Sequence, residues 1–144
     1  YQFFTADFLS RCICLVFFLA FPTTNTRPVI TGSGFWDQAA QWLYSIDAAD
    51  NLFPSIHCLV SWFCYIGIRD RKEIPEWYKQ VSLGIAVLVF ISTLLTKQHV
   101  LVDVAGGVLL GTVCFMVCRK TRLYCTYAKI GNRIEAWILK LLEG

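Results

Sequence analysis

The chain has 144 residues, 56% of them hydrophobic, with a mean hydropathy of +0.54, above the usage of soluble domains. Its formal net charge of +3 comes from short cationic clusters between apolar runs, with no continuous basic stripe, which excludes nucleic acid as a partner. Composition therefore points to a membrane protein, whose lipid-facing segments must be helices or a closed barrel because lipid offers backbone groups no partner.

Segment lengths favour helices and an all-α fold. The first apolar segment runs from about Phe3 to Phe21 and stops at Pro22, with Asp7 and Arg11 one turn apart and able to pair near the headgroups. Tyr1 is not a Met, no signal-peptide pattern precedes the segment, and the chain reads as a piece of something longer. Gly34 to Ile46, with Trp36, Trp42 and Tyr44 among polar residues, predicts a helix lying in the membrane interface. The second apolar segment, Pro54 to Ile68, is stopped by the run Arg69 to Lys72. It falls short of the ~20 residues of a full crossing, so its start is expected inside protein, below the membrane surface. A third segment, about Val81 to Thr96, and a fourth, about His99 to Cys118, are separated only by Lys97 and Gln98, which forces an antiparallel pair. In the tail, Ile130, Ile134, Trp137, Ile138 and Leu141 recur at three-to-four spacing opposite cations, as in an amphipathic helix against anionic lipid.

The reading is a polytopic membrane helix bundle with four visible transmembrane helices, an interfacial helix and a C-terminal amphipathic helix. It divides into a membrane-embedded core, residues 1–118, and a tail, residues 119–144. Arg69, Arg71, Lys72, Arg119, Lys120 and Arg122 mark the cytoplasmic side; Arg27 and Lys97, opposed by Asp37, Asp47 and Asp50, mark the other. Cys12, Cys14, Cys58, Cys64, Cys114 and Cys118 lie in or beside apolar runs and read as reduced, buried small hydrophobes. No His or further Cys accompanies Cys114 and Cys118 to complete a metal site.

This topology brings Arg27, Pro54, Ser55, His57, Lys97, His99 and Asp103 to one non-cytoplasmic face, and ionisable residues in spans are costly enough to suggest function. Asp103 lies one turn below His99, where it can orient the ring and leave the other nitrogen free as a nucleophile. His57 falls in the first turn of a helix opened by Pro54 and Ser55, where free N–H groups favour an anion. With Arg27 and Lys97 these residues suit a phosphate. The alternative of His57, His99 and Asp103 as metal ligands is opposed by the neighbouring cations.

The motifs resemble the type 2 phosphatidic acid phosphatase family, integral-membrane relatives of bacterial acid phosphatases and vanadium haloperoxidases. "TNTRP" supplies Arg27 and Pro28 of its first block, "PSIH" matches the second in full, and "STLLTKQHVLVD" gives Ser92, His99 and Asp103 of the third. The family's first-block Lys falls at Ala20 and its third-block Arg at Thr93, with Lys97 placed to supply part of that charge. The "TKQH" form looks like a bacterial branch and is similar to inositol phosphorylceramide synthases around the nucleophile. A family core of six helices implies two N-terminal spans outside this chain.

What the resemblance implies is a metal-independent phosphatase of lipid phosphates or pyrophosphates without a cofactor. His99 would be the nucleophile, Asp103 its orienter and His57 the acid and base, with Arg27, Ser55 and Lys97 holding the phosphate. Its partners would be a membrane lipid phosphate and the bilayer, with a homo-oligomer left open. Two other readings stand beside it: a headgroup phosphotransferase, and a membrane protein that binds lipid phosphates without turnover.

Overall fold

The computed structural model describes residues 1–143 apart from Ala48 and Arg122, and the side chains of these apart from Trp137, Leu142 and Glu143. Arg122, expected among the cytoplasmic cations, and Gly144 lie outside the described residues, as does the side chain of Trp137, expected on the tail's apolar face. Among the described residues six helices follow in order: α1 (Gln2–Ala20), α2 (Phe35–Ile46), α3 (Ile56–Arg69), α4 (Glu76–Leu95), α5 (Leu101–Thr121) and α6 (Leu123–Glu143). The protein is an all-α membrane helix bundle, and among the described residues α1, α4 and α5 are long and apolar enough to cross a membrane.

The second expected span, α3, has 14 residues, about 21 Å at the α-helical rise, and is too short to cross alone. It sits within the bundle instead, its Leu59, Phe63 and Ile66 joining Ala6 and Cys14 of α1 and Cys114 and Cys118 of α5 in one core. Two helix ends begin elsewhere than the apolar pattern suggested. α4 extends back to Glu76 because Pro75 fixes a helix start and a polar first turn costs nothing outside lipid. α5 begins after His99, at Leu101, because His99 belongs to the turn.

The α3–α5 contact sets the geometry. Gly107 and Gly111 present no side chain to α3, and a Cβ at Gly107 would stand 2.5 Å from the Ser55 carbonyl oxygen. The helices are also clasped at both ends, by Ser55 N–H donating to the Asp103 carbonyl at 3.1 Å and by Arg119 Nη1 to Asp70 Oδ2 at 2.7 Å. Between them, Trp62 Nε1 donates to Thr112 Oγ1 at 2.8 Å, a polar contact that satisfies the indole without water.

α4 packs on the outer side of α3 and buries only Ala86 and Thr93, leaving Val81, Ile85, Leu88 and Leu95 exposed, as suits a helix turned to lipid. α6 lies against α1, where Phe8 and Tyr127 stack with centroids 6.4 Å apart, while Ile134, Ile138 and Leu141 remain exposed.

Gly107→Ala should lower stability by about 1–3 kcal/mol, because backbone rather than a movable side chain occupies the space. Gly84→Ala, with nothing near its Cβ, should instead stabilise α4 by up to about 1 kcal/mol. Thermal unfolding of both variants in the same detergent checks the pair; equal shifts would contradict the tight α3–α5 approach.

Candidate active site

The candidate site begins with the turn between α4 and α5. α4 ends in a Schellman motif, in which Lys97 N–H donates to the Leu94 carbonyl at 3.2 Å and Gln98 N–H to that of Thr93 at 3.1 Å. Lys97 takes the left-handed position with φ 58°, a place usually left to glycine because a Cβ crowds the carbonyl there. The Thr93 carbonyl accepts a second N–H, from His99 at 3.1 Å, tying the histidine backbone to the end of α4. From outside the turn, Asn25 Nδ2 donates to the Lys97 carbonyl at 2.9 Å and Tyr44 Oη to that of Thr96 at 2.8 Å.

α5 starts directly after this anchored histidine. The Asp103 carboxylate reaches back to accept the Val100 N–H at 3.0 Å, the capping role of an acidic residue in a first helical turn. The same oxygen, Oδ2, lies 3.4 Å from His99 Nδ1. That nitrogen has no aligned hydrogen bond, so the contact is electrostatic and acts between two buried side chains, 7% and 6% exposed. On the other side of the ring, His99 Nε2 faces His57 Nδ1 at 3.4 Å, with the two rings inclined at 62°. His57 occupies the first turn of α3, whose N-cap Ser55 accepts the Cys58 N–H through its hydroxyl at 3.4 Å.

His99 is thus flanked by a histidine and a carboxylate. Burial pushes its pKa below the usual 6.5, while Asp103 and the more distant Asp47 pull it partly back. The net depression leaves a neutral imidazole at pH 7, the form in which Nε2 carries a lone pair.

A cavity of about 170 Å³ opens beside the ring pair, walled by His57, His99 and Ile56, by Asp47, Asp50, Asn51 and Leu52, and by Phe18 of α1. Of the six residues expected at the site, His57 and His99 line this cavity and Asp103 stands directly behind His99. Arg27, Ser55 and Lys97 do not line it. Ser55 is fully buried, its N–H, carbonyl and hydroxyl engaged with Asp103, Leu59 and Cys58, so it offers no exposed group to a phosphate. Arg27 is bound to Asp47, through Nη2 to Oδ2 at 2.7 Å and Nη1 to the backbone carbonyl, with its guanidinium 4.9 Å over the Tyr44 ring. Lys97 is exposed at the rim of the turn.

Asp47 and Gln98 are the residues that sequence reasoning missed. Gln98 could have been noticed as one of only two residues in the turn before His99. Asp47 carried no signal beyond its charge, because its partners lie 20 and 51 positions away. Among the described residues no group of three His, Cys, Asp or Glu side chains could hold a metal ion. His99 stands between His57 and Asp103, so these three do not converge on one point.

A family model described as the PAP2 superfamily matches residues 1–117. No curated protein and no solved structure matches the chain.

Lys97→Gly should raise stability by about 1 kcal/mol, because glycine occupies the left-handed position without a Cβ penalty. A higher midpoint of thermal unfolding than wild type checks this, and a lower one would show that the Lys97 side chain stabilises the turn.

Proposed function

Because the chain belongs to the PAP2 superfamily, a family of phosphatases, we propose that it is an integral-membrane lipid phosphatase working through a phosphohistidine on His99. The observation that carries the reading is the line of contacts from Asp103 Oδ2 through the buried His99 ring to His57 Nδ1, each 3.4 Å long, at one wall of a small cavity. It supplies an orienting charge, a neutral nucleophile and an acid–base group in sequence.

In the first step His99 Nε2 attacks phosphorus, the bond from phosphorus to the lipid oxygen breaks, and His57 gives that oxygen its proton. In the second, His57 takes a proton from water, the resulting hydroxide attacks phosphorus, the nitrogen–phosphorus bond breaks, and inorganic phosphate leaves. Asp103 stabilises the positive charge that His99 acquires on attack. Two nitrogens 3.4 Å apart leave no space for a phosphoryl group between them, so the exposed His57 ring turns aside as substrate enters. Phosphoryl transfer depends mainly on positioning and on charge around the equatorial oxygens. Lys97 at the rim and Arg27 behind Asp47 are the cations nearest to that role, alongside the N–H groups of Ile56 and His57 at the start of α3.

The substrate on this reading is a lipid phosphate or pyrophosphate, reached from the bilayer, with the site on the non-cytoplasmic side of a multi-pass protein. Asp50 and Asn51 on the same wall favour a second reading, transfer of the phosphoryl group to an alcohol, since both can hydrogen-bond a hydroxyl.

Phosphate release from short-chain phosphatidic acid and from an isoprenyl pyrophosphate, in detergent with EDTA, tests both. Wild type should release phosphate and His99→Ala none; activity retained by that variant would discard the covalent route, and phosphate diverted onto added alcohol would favour transfer. Because burial depresses the His99 pKa, the neutral nucleophile persists below the usual 6.5 and activity should fall only as pH drops through the depressed value. Asp103→Asn removes a charge that raises this pKa, so the acid limb should move to still lower pH while kcat falls about 100-fold or more. A limb that moves upward would contradict the assignment of His99 as nucleophile.

A further inference from the structure

Arg27 is held away from the cavity by a carboxylate that itself lines the cavity, and the same carboxylate oxygen reaches the residue next to the nucleophile. Asp47 Oδ2 accepts from Arg27 Nη2 at 2.7 Å and from Gln98 Nε2 at 2.8 Å. Gln98 Oε1 lies 3.0 Å from Thr96 Oγ1, and the Thr96 carbonyl accepts from Tyr44 Oη, whose ring lies under the Arg27 guanidinium. The contacts therefore close a ring, Asp47 to Gln98 to Thr96 to Tyr44 to Arg27, around the turn that presents His99.

This is not a surface ion pair of small effect. The Arg27 side chain is 9% exposed and Gln98 is 7% exposed, while the Asp47 side chain that joins them is 30% exposed, so the network is partly shielded from water. α2 contributes only Tyr44 to the ring and the chain leaves it immediately afterwards at Asp47, so one carboxylate connects three separate parts of the chain. Asp47 also shares the cavity wall with His99.

Building on the phosphatase reading, we propose that Asp47 is a positioning residue for the reaction, using one carboxylate oxygen to hold the His99 turn through Gln98 while the same oxygen binds Arg27. Its action is through other residues and not on the reacting atoms. A misplacement of about 1 Å at a reacting nitrogen can cost about 100-fold, which is the scale available to such a group.

The test uses the full chain in detergent with short-chain phosphatidic acid, comparing wild type, Asp47→Asn, Gln98→Ala and the double variant. Each single change should lower kcat about tenfold or more with KM altered less than about threefold, because the nucleophile's turn is displaced while binding is largely kept. The double variant should be no worse than the poorer single one, since both break the same link. The charges facing His99 are Asp103 from α5, His57 from α3 and Asp47 after α2. Removing Asp47's charge should move the acid limb of kcat to lower pH, whereas Gln98→Ala should leave it in place, a split that mere loss of stability would not produce. Losses that multiply, or a wild-type kcat in either variant, would overturn the proposal. Should Asp47→Asn fail to fold, Gln98→Ala decides, because it leaves the Arg27–Asp47 pair intact. A wild-type protein that releases no phosphate would instead overturn the phosphatase reading, and this proposal with it.

Discussion

The close approach of α5 to α3 at Gly107 is the constraint on which the site depends. With no side chain between them, the Ser55 N–H reaches the Asp103 carbonyl, and two helices from distant parts of the chain begin side by side. His57 then falls in the first turn of one and Asp103 in the first turn of the other. A larger residue at 107 would part these two helix starts, and with them the histidines, although it touches neither ring.

Within that frame each polar group near His99 has two duties. Asp103 caps the first turn of α5 and sets the charge behind the imidazole; the Thr93 carbonyl ends α4 and fixes the His99 backbone; Ser55 caps α3 and joins it to α5. Economy of this kind follows from the surroundings, because each buried polar group must find a partner within the protein. It also explains why Ser55, attractive as a phosphate ligand, is fully occupied by packing.

The charges at the site are closely balanced. Asp47, Asp50 and Asp103 lie near the histidines, against Arg27 and Lys97 nearby. Asp103 and Asp47 favour a charged His99 ring, against the burial that keeps it neutral. The left-handed Lys97 is a related compromise, an unfavourable backbone place filled by a cation at the rim.

Much of this was legible in the sequence. Apolar run lengths determined an all-α membrane protein, the four-residue spacing of His99 and Asp103 placed the two side chains together where α5 begins, although His99 itself lies in the turn, and Pro54-Ser55 marked the first turn holding His57. These are local relations, fixed by helix period and capping chemistry, and they survive folding. The shortness of Pro54 to Ile68 even indicated that the start of α3 would lie inside protein. What only the tertiary structure decided are relations between residues far apart in the chain: that Arg27 is bound to Asp47, that Gln98 connects this pair to the turn carrying His99, and that Ser55 has no face left for a ligand. No periodicity encodes them, because a buried guanidinium or hydroxyl takes whichever partner the packing of other helices brings within about 3 Å.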